Sequence, residues 1–312
     1  MHMLLIVILT FSYHICLLLA SAITVLDKHA LDEQLPSKFQ SIVAFGDSMT
    51  DNGSFDDFYA KNTSKIDPES LHSYTSANLS RACDGPVWVE HLATSFGSPD
   101  LYNFARVAAS INNSLVLEET PYDLNTQVTR YLTSEAATLT KNNTIFFIYI
   151  GGNEVFDMFK VFPNDSVERR KLIEQLMLSA RFNLERLYAI GARYIMLLGQ
   201  LPLEDLPMRR KSLSETRVKM GDLVREFNIN LERLMEDFTI DHTELKAIYF
   251  DLYYSFKPLF VSDTGRTCIS ESSCEGYVFY DRGHPTSLYH AQIAQAIRDK
   301  LIELAWYEET EP

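Results

Sequence analysis

Four short apolar runs recur along the chain, each long enough for a strand and too short for a helix: Ser41–Phe45, Thr144–Ile150, Tyr194–Leu198 and Ala247–Phe250. The second, "TIFFIYI", is continuous in apolar and β-favouring residues, the pattern of a strand covered on both faces. Longer stretches between them repeat at helical spacing. Ser166–Ile190 sets Leu172, Leu176, Leu184 and Leu187 on one stripe and stops at Gly191, a candidate C-cap. Glu215–Phe238 repeats the pattern through Val218, Leu223, Phe227, Leu231 and Leu234, and His290–Leu304 through Ile293, Ile297 and Leu301. Strands alternating with helices predict an α/β layered fold with a mainly parallel sheet. The region from Asp51 to about Asn142 is less regular and is expected to lay loops and short helices over that sheet. No internal repeat, low-complexity tract or long Pro/Gly/Ser linker interrupts the pattern, so residues 23–312 read as one domain.

Composition narrows the setting. With 312 residues, 46% hydrophobic and 12% aromatic, the chain can bury a full core. A net charge of −14, without any basic block of five residues, argues against nucleic acid or an anionic membrane as the main partner. Met3–Ala20 is almost wholly apolar and ends at Ala20-Ser21-Ala22, a small-residue cleavage pattern, so residues 1–22 read as a secretory signal peptide. An uncleaved anchor is the alternative, since the stretch approaches spanning length and lacks a basic leader. Once the signal is removed, a secreted (extracellular) chain with no stable membrane insertion is expected, as a monomer.

Asn52, Asn62, Asn78, Asn112, Asn142 and Asn164 each open an Asn-x-Ser/Thr triplet, which suits an exported surface. Asn52 sits beside the candidate site and is expected to stay bare; the other five are candidate glycosylation sites. Cys268 and Cys274 flank "ISESS", a short polar loop that a disulfide can close in an oxidising compartment, leaving Cys83 unpaired. The cysteine and histidine spacings match no zinc module, so neither a metal nor another cofactor is indicated.

In an open parallel sheet, ligands bind beyond the carboxyl ends of the strands. The first run breaks into Gly46-Asp47-Ser48, the second into Gly151-Gly152-Asn153-Glu154, and Asp281-Arg282-Gly283-His284-Pro285-Thr286 precedes the last helix. Ser48 alone reads as a helix N-cap, a role serine favours. With the other two clusters it reads as a nucleophile. His284 can take its proton, and Asp281, three residues earlier, can orient the imidazole. The Asn153 amide and the Ser48 backbone N–H can donate to an oxyanion. His72, His91, His242 and His290 have no matching partner set and read as structural or surface residues. Tyr249, Phe250, Tyr253, Tyr254 and Phe256 read as core and cleft wall, with a sugar-stacking platform as the alternative.

These segments resemble the GDSL esterases and lipases, also called SGNH hydrolases, whose four blocks occur here in order. Gly46-Asp47-Ser48-Met49 resembles the first, Asn103 to Ala109 the second, Gly151 to Glu154 the third and Asp281 to His284 the fourth. Gly85 to Glu90 and Leu187 to Arg193 extend the similarity over nearly all of the chain that follows the signal-like segment. The resemblance implies a three-layer α/β/α (flavodoxin-like) fold and an acyl-enzyme mechanism with Ser48, His284 and Asp281 catalytic. It also implies an oxyanion hole of Ser48, Ala108 and Asn153. The variant looks nearest to secreted fungal esterases, including carbohydrate acetylesterases.

Two positions depart from the family pattern. Val107-Ala108 replaces the usual glycine pair, and Glu154 replaces the usual aspartate. A backbone N–H survives at Ala108, and Glu154 is expected to alter packing near Asn153 without removing chemistry. The leading expectation is hydrolysis of short-acyl esters of carbohydrates. The alternatives are a lipase or lysophospholipase acting on lipid acyl esters, or a catalytically weakened binding protein of the same fold.

Overall fold

The computed structural model describes residues 39–53, 81–116 and 122–307. The described residues between 39 and 300 make up one compact unit, and residues 301–307 fall in another. The expected signal peptide, His72, and the candidate glycosylation sites Asn62 and Asn78 lie outside the described residues.

Five strands form the sheet: β1 (Ser41–Gly46), β2 (Asp100–Asn103), β3 (Thr144–Tyr149), β4 (Tyr194–Leu198) and β5 (Lys246–Phe250). Their order is β2-β1-β3-β4-β5 and every pairing is parallel, the doubly wound order of flavodoxin-like folds. Four strands coincide with the apolar runs. The edge strand β2 escapes the pattern, because "DLYN" has a single aliphatic residue and none of its four positions is fully buried.

Helices cover both faces. They are α1 (Trp88–Ser95), α2 (Leu124–Leu132), α3 (Gly152–Val161), α4 (Val167–Ala189), α5 (Ser214–Asp241), α6 (Leu252–Ser262) and α7 (Ser287–Glu303). Alternation along the strands divides the aromatic core between two layers. Tyr131 of α2 packs edge-on against Phe45 of β1 and Phe146 of β3, with ring centroids 5.8 and 5.7 Å away. Trp88 of α1 meets the opposite face at Phe147 and Tyr149, at 5.4 and 6.5 Å. Leu176, Leu184 and Leu187 of α4, and Leu223, Phe227 and Leu231 of α5, are buried as their spacing predicts. Val218 is an exception: it is 58% exposed on the outer side of α5.

The strand register decides where the site falls. β1 and β3 pair Ser41 with Thr144 through to Gly46 with Tyr149, so both run out at one level. Only glycine fits at Gly46, since a β-carbon there would lie 2.4 Å from the Tyr149 carbonyl oxygen. Gln127 of α2 clamps this strand end, accepting the Gly46 N–H and donating to the Gly46 carbonyl, both at 2.9 Å. At the end of β3, Gly151 takes φ +126°, and a β-carbon there would lie 2.5 Å from the Phe227 ring. Glycine therefore turns the chain sharply into α3.

Candidate active site

The turn after β1 is built by Asp47. Its carbonyl accepts the Thr50 and Asp51 N–H groups at 3.0 and 2.9 Å, and its carboxylate accepts the Met49 N–H at 3.0 Å. Burial lifts the Asp47 pKa to about 6, with the Met49 bond pulling the other way. Ser48 stands on this turn as a half-buried residue. Its Oγ lies 2.8 Å from His284 Nε2.

The other nitrogen of His284 faces Asp281, with Nδ1 at 2.9 and 2.8 Å from the two carboxylate oxygens. A spacing of three residues suffices because Asp281 Oδ1 also accepts the Gly283 and His284 backbone N–H groups at 2.7 Å each. The chain thus folds back around its own aspartate. A proton on Nδ1 shared with Asp281 leaves Nε2 as the acceptor facing Ser48. Burial alone would lower the His284 pKa, but the Asp281 charge and hydrogen bond outweigh it and raise the pKa above the usual 6.5.

Asn153 lies in the first turn of α3, at the carboxyl end of β3 beside the β1 end that leads into Ser48. Its Nδ2 donates one hydrogen to the Ala109 carbonyl at 2.8 Å, which fixes the amide plane. An amide nitrogen carries a second hydrogen. Ser48, Ala108 and Asn153 all line one cleft with His284, of about 390 Å³. Ala108 adopts φ +59°, a left-handed conformation that favours glycine by roughly 1 kcal/mol. The alanine-for-glycine departure therefore falls on a residue whose backbone keeps the glycine-like conformation.

The loop carrying Ala108 is held by bonds of Asp51, Asn103 and Glu154 that the sequence pattern did not reveal. Asp51 Oδ2 accepts the Val107 N–H at 2.7 Å. Asn103 Nδ2 donates to the Thr50 carbonyl at 2.6 Å and to Asn52 Oδ1 at 3.0 Å. Glu154, fully buried, accepts the Ile111 N–H. Burial lifts the Glu154 pKa to about 8, against the pull of that N–H. Glu154 and Asn153 thus hold the two ends of the Ala109–Ile111 segment. The far wall of the cleft comes from the segment after β4: Leu201, Leu203, Leu206 and Met208. Two buried carboxylates anchor that wall. Glu204 binds Tyr253 and Lys257, and Asp205 binds Arg217 and Lys257.

The remaining candidates sort by position. His290 is buried and accepts the Trp88 N–H at Nδ1, and burial pushes its pKa down to about 3. His91 pairs with Ser287, and His242 pairs with Glu185 while lying 4.0 Å from the Tyr188 ring. Cys268 and Cys274 form a disulfide and Cys83 is a buried free thiol. Asn142 and Asn164 are exposed, and Asn112 is half-buried with its amide donating to Ser179. Among the described residues no helix is long and apolar enough to cross a membrane.

Fold and site define an α/β/α hydrolase with a polar cluster at the carboxyl edge of the sheet. The chain belongs to the GDSL-like lipase/acylhydrolase family, whose model matches residues 42–297, and it is an ester-bond hydrolase. An acetylesterase of Thermothelomyces thermophilus is 27% identical, over 83% of this chain and 87% of its own. A GDSL esterase/lipase of Arabidopsis thaliana is 21% identical, over 83% and 91%. Among solved structures, a catalytic mutant of an acetylxylan esterase from Geobacillus stearothermophilus superposes with a TM-score of 0.50 at 14% identity. It covers 89% of this chain and 100% of that one. That likeness concerns the fold.

Glu154 yields a stability test. The unfolded carboxyl loses its proton near the usual 4.5 and the folded one near 8, so between these values the folded chain binds more protons. Stability from this residue is complete below about pH 4.5 and is lost as pH rises through about 8. Glu154→Gln cannot titrate, so its Tm relative to wild type should rise between pH 5 and pH 8. A constant difference would refute the assignment.

Proposed function

We propose that this chain hydrolyses carboxylic esters through an acyl-enzyme formed on Ser48. The observation that carries the proposal is the unbroken chain of contacts from Ser48 Oγ to His284 Nε2 and from His284 Nδ1 to Asp281. Ser48 Oγ attacks the ester carbonyl carbon while His284 Nε2 takes the hydroxyl proton. Asp281 holds the imidazole in the tautomer this needs and stabilises its protonated form. The Ser48 and Ala108 N–H groups and the second hydrogen of the Asn153 amide receive the oxyanion. The Nε2 proton then passes to the departing alcohol oxygen. A water, deprotonated by His284 in turn, releases the acid and restores Ser48. Within this proposal the protein is exported, as the apolar leader and sequons suggest; a mass decrease of the secreted protein on endoglycosidase treatment checks it.

His284 works only when neutral. Because its pKa is raised, the acid limb of kcat/KM should have its midpoint above about 6.5. Ser48→Ala should lower turnover of a small aryl ester by at least about a thousandfold with folding intact. Asp281→Asn should cost about 10⁴-fold in kcat. A Ser48→Ala protein as active as wild type would remove the mechanism. A folded wild type without turnover on any ester would favour the binding-protein alternative.

The acyl group admits two readings. Short-acyl esters of carbohydrates are supported by the acetylesterase relative. Longer, lipid-like acyl groups are supported by the cleft itself: its roughly 390 Å³ exceeds what an acetyl group fills, and Leu201, Leu203, Leu206, Met208 and Phe156 give part of it an apolar wall. Each methylene buried there contributes about 0.8 kcal/mol, about fourfold in kcat/KM. Aryl butyrate and hexanoate should therefore outpace aryl acetate. A steady decline from acetate onward would favour the acetyl reading instead.

A further inference from the structure

A side pocket of about 200 Å³ opens beside the cleft and shares Ala108, Asn153, Phe156 and Met208 with it. Its polar wall carries Ser110, Asp157, Lys160 and Arg209. Lys160 is paired with Asp157 at 3.1 Å. Arg209 is different. Its guanidinium lies over the rings of Phe156 and Phe159, at 5.3 and 5.7 Å from their centroids, and its Nε is buried without a hydrogen-bond partner. Among the described residues no carboxylate pairs with it, on a chain whose net charge is −14. Burial lowers its pKa from the usual arginine value, as expected of a cation without a counter-ion. Neighbouring arginines reach partners through their terminal nitrogens: Arg210, whose Nε is likewise unpartnered, donates to the Phe260 carbonyl, and Arg217 donates to Asp205.

A guanidinium offers five N–H donors in a planar fork that fits a carboxylate or phosphate. Held on two aromatic faces, it is pre-ordered for that task. It also sits next to the groups assigned to the oxyanion, so a ligand on it can belong to the molecule being hydrolysed. We propose that this side pocket takes an anionic group, a carboxylate or a phosphate, carried by the ester substrate, and that Arg209 selects for it. The inference rests on the reading of the cleft as the ester site.

Two matched pairs of esters test it. In one pair the anion is on the acyl half: 4-nitrophenyl hydrogen adipate against its methyl ester. In the other it is on the alcohol half: 1-octanoylglycerol 3-phosphate against 1-octanoylglycerol. For at least one pair, wild type should favour the anionic member by about tenfold in kcat/KM, the scale of a charged hydrogen bond. Arg209→Gln should bring that ratio to about one and Arg209→Lys should restore part of it. The pair that responds identifies the half of the substrate the pocket holds. An unchanged ratio in Arg209→Gln for both pairs, or an equal loss on all four esters, would overturn the proposal by leaving Arg209 a packing residue. Turnover that survives Ser48→Ala would instead strike the ester-site reading beneath it.

Discussion

The parallel register that sets Gly46 beside Tyr149 governs the geometry of the whole site. Two strands that end level deliver two turns to one edge, and each turn begins with a glycine because no other residue fits. At Gly46 the obstacle is a carbonyl, and at Gly151 it is an aromatic ring. Ser48 and Asn153 are neighbours across that edge before any side chain has made a bond. His284 reaches them from a third turn, which leads into α7 and is itself organised around Asp281.

Around this frame, buried polar groups are used as fasteners. Gln127 closes the end of β1, Asp51 and Asn103 fasten the Ala108 loop to the Ser48 turn, and Glu154 fastens it to α3. Buried carboxylates are costly unless bonded or protonated. Asp51 meets the cost with the Val107 and Gly53 N–H groups. Glu154, with one oxygen unbonded, meets it by keeping its proton. The departure from aspartate at this position thus alters a support of the site and not its reacting atoms.

Much of this architecture was legible from local pattern. Four strands and the three long helices follow from runs and stripes that need no partner to be recognised. The three clusters at strand ends follow from where a parallel sheet exposes its loops. What pattern could not reveal is long-range. Gln127 lies 81 residues from Gly46, Asp51 lies 56 from Val107, and His290 lies 202 from Trp88. Each is an ordinary polar residue until the fold supplies its partner. β2 was hidden because an edge strand needs little apolar sequence, and Val218 misled because one apolar residue can continue a stripe onto solvent. Asn103 showed itself only as part of a family block, without a signal for its bonds to Thr50 and Asn52.

The Cys268–Cys274 bridge has a place in the same frame. Cys268 lies in a small cluster with Ala82, Val107 and Tyr280, against which Ala108 and Cys274 pack, and its backbone N–H bonds to the Tyr280 carbonyl one residue before Asp281. One covalent link therefore backs both the loop that presents the Ala108 N–H and the turn that holds His284. It is also the only link in the described site whose existence depends on electrons supplied or withdrawn by the surroundings. Precision at the reacting atoms is thereby tied to the redox poise of the compartment, although no atom of the bridge takes part in proton transfer.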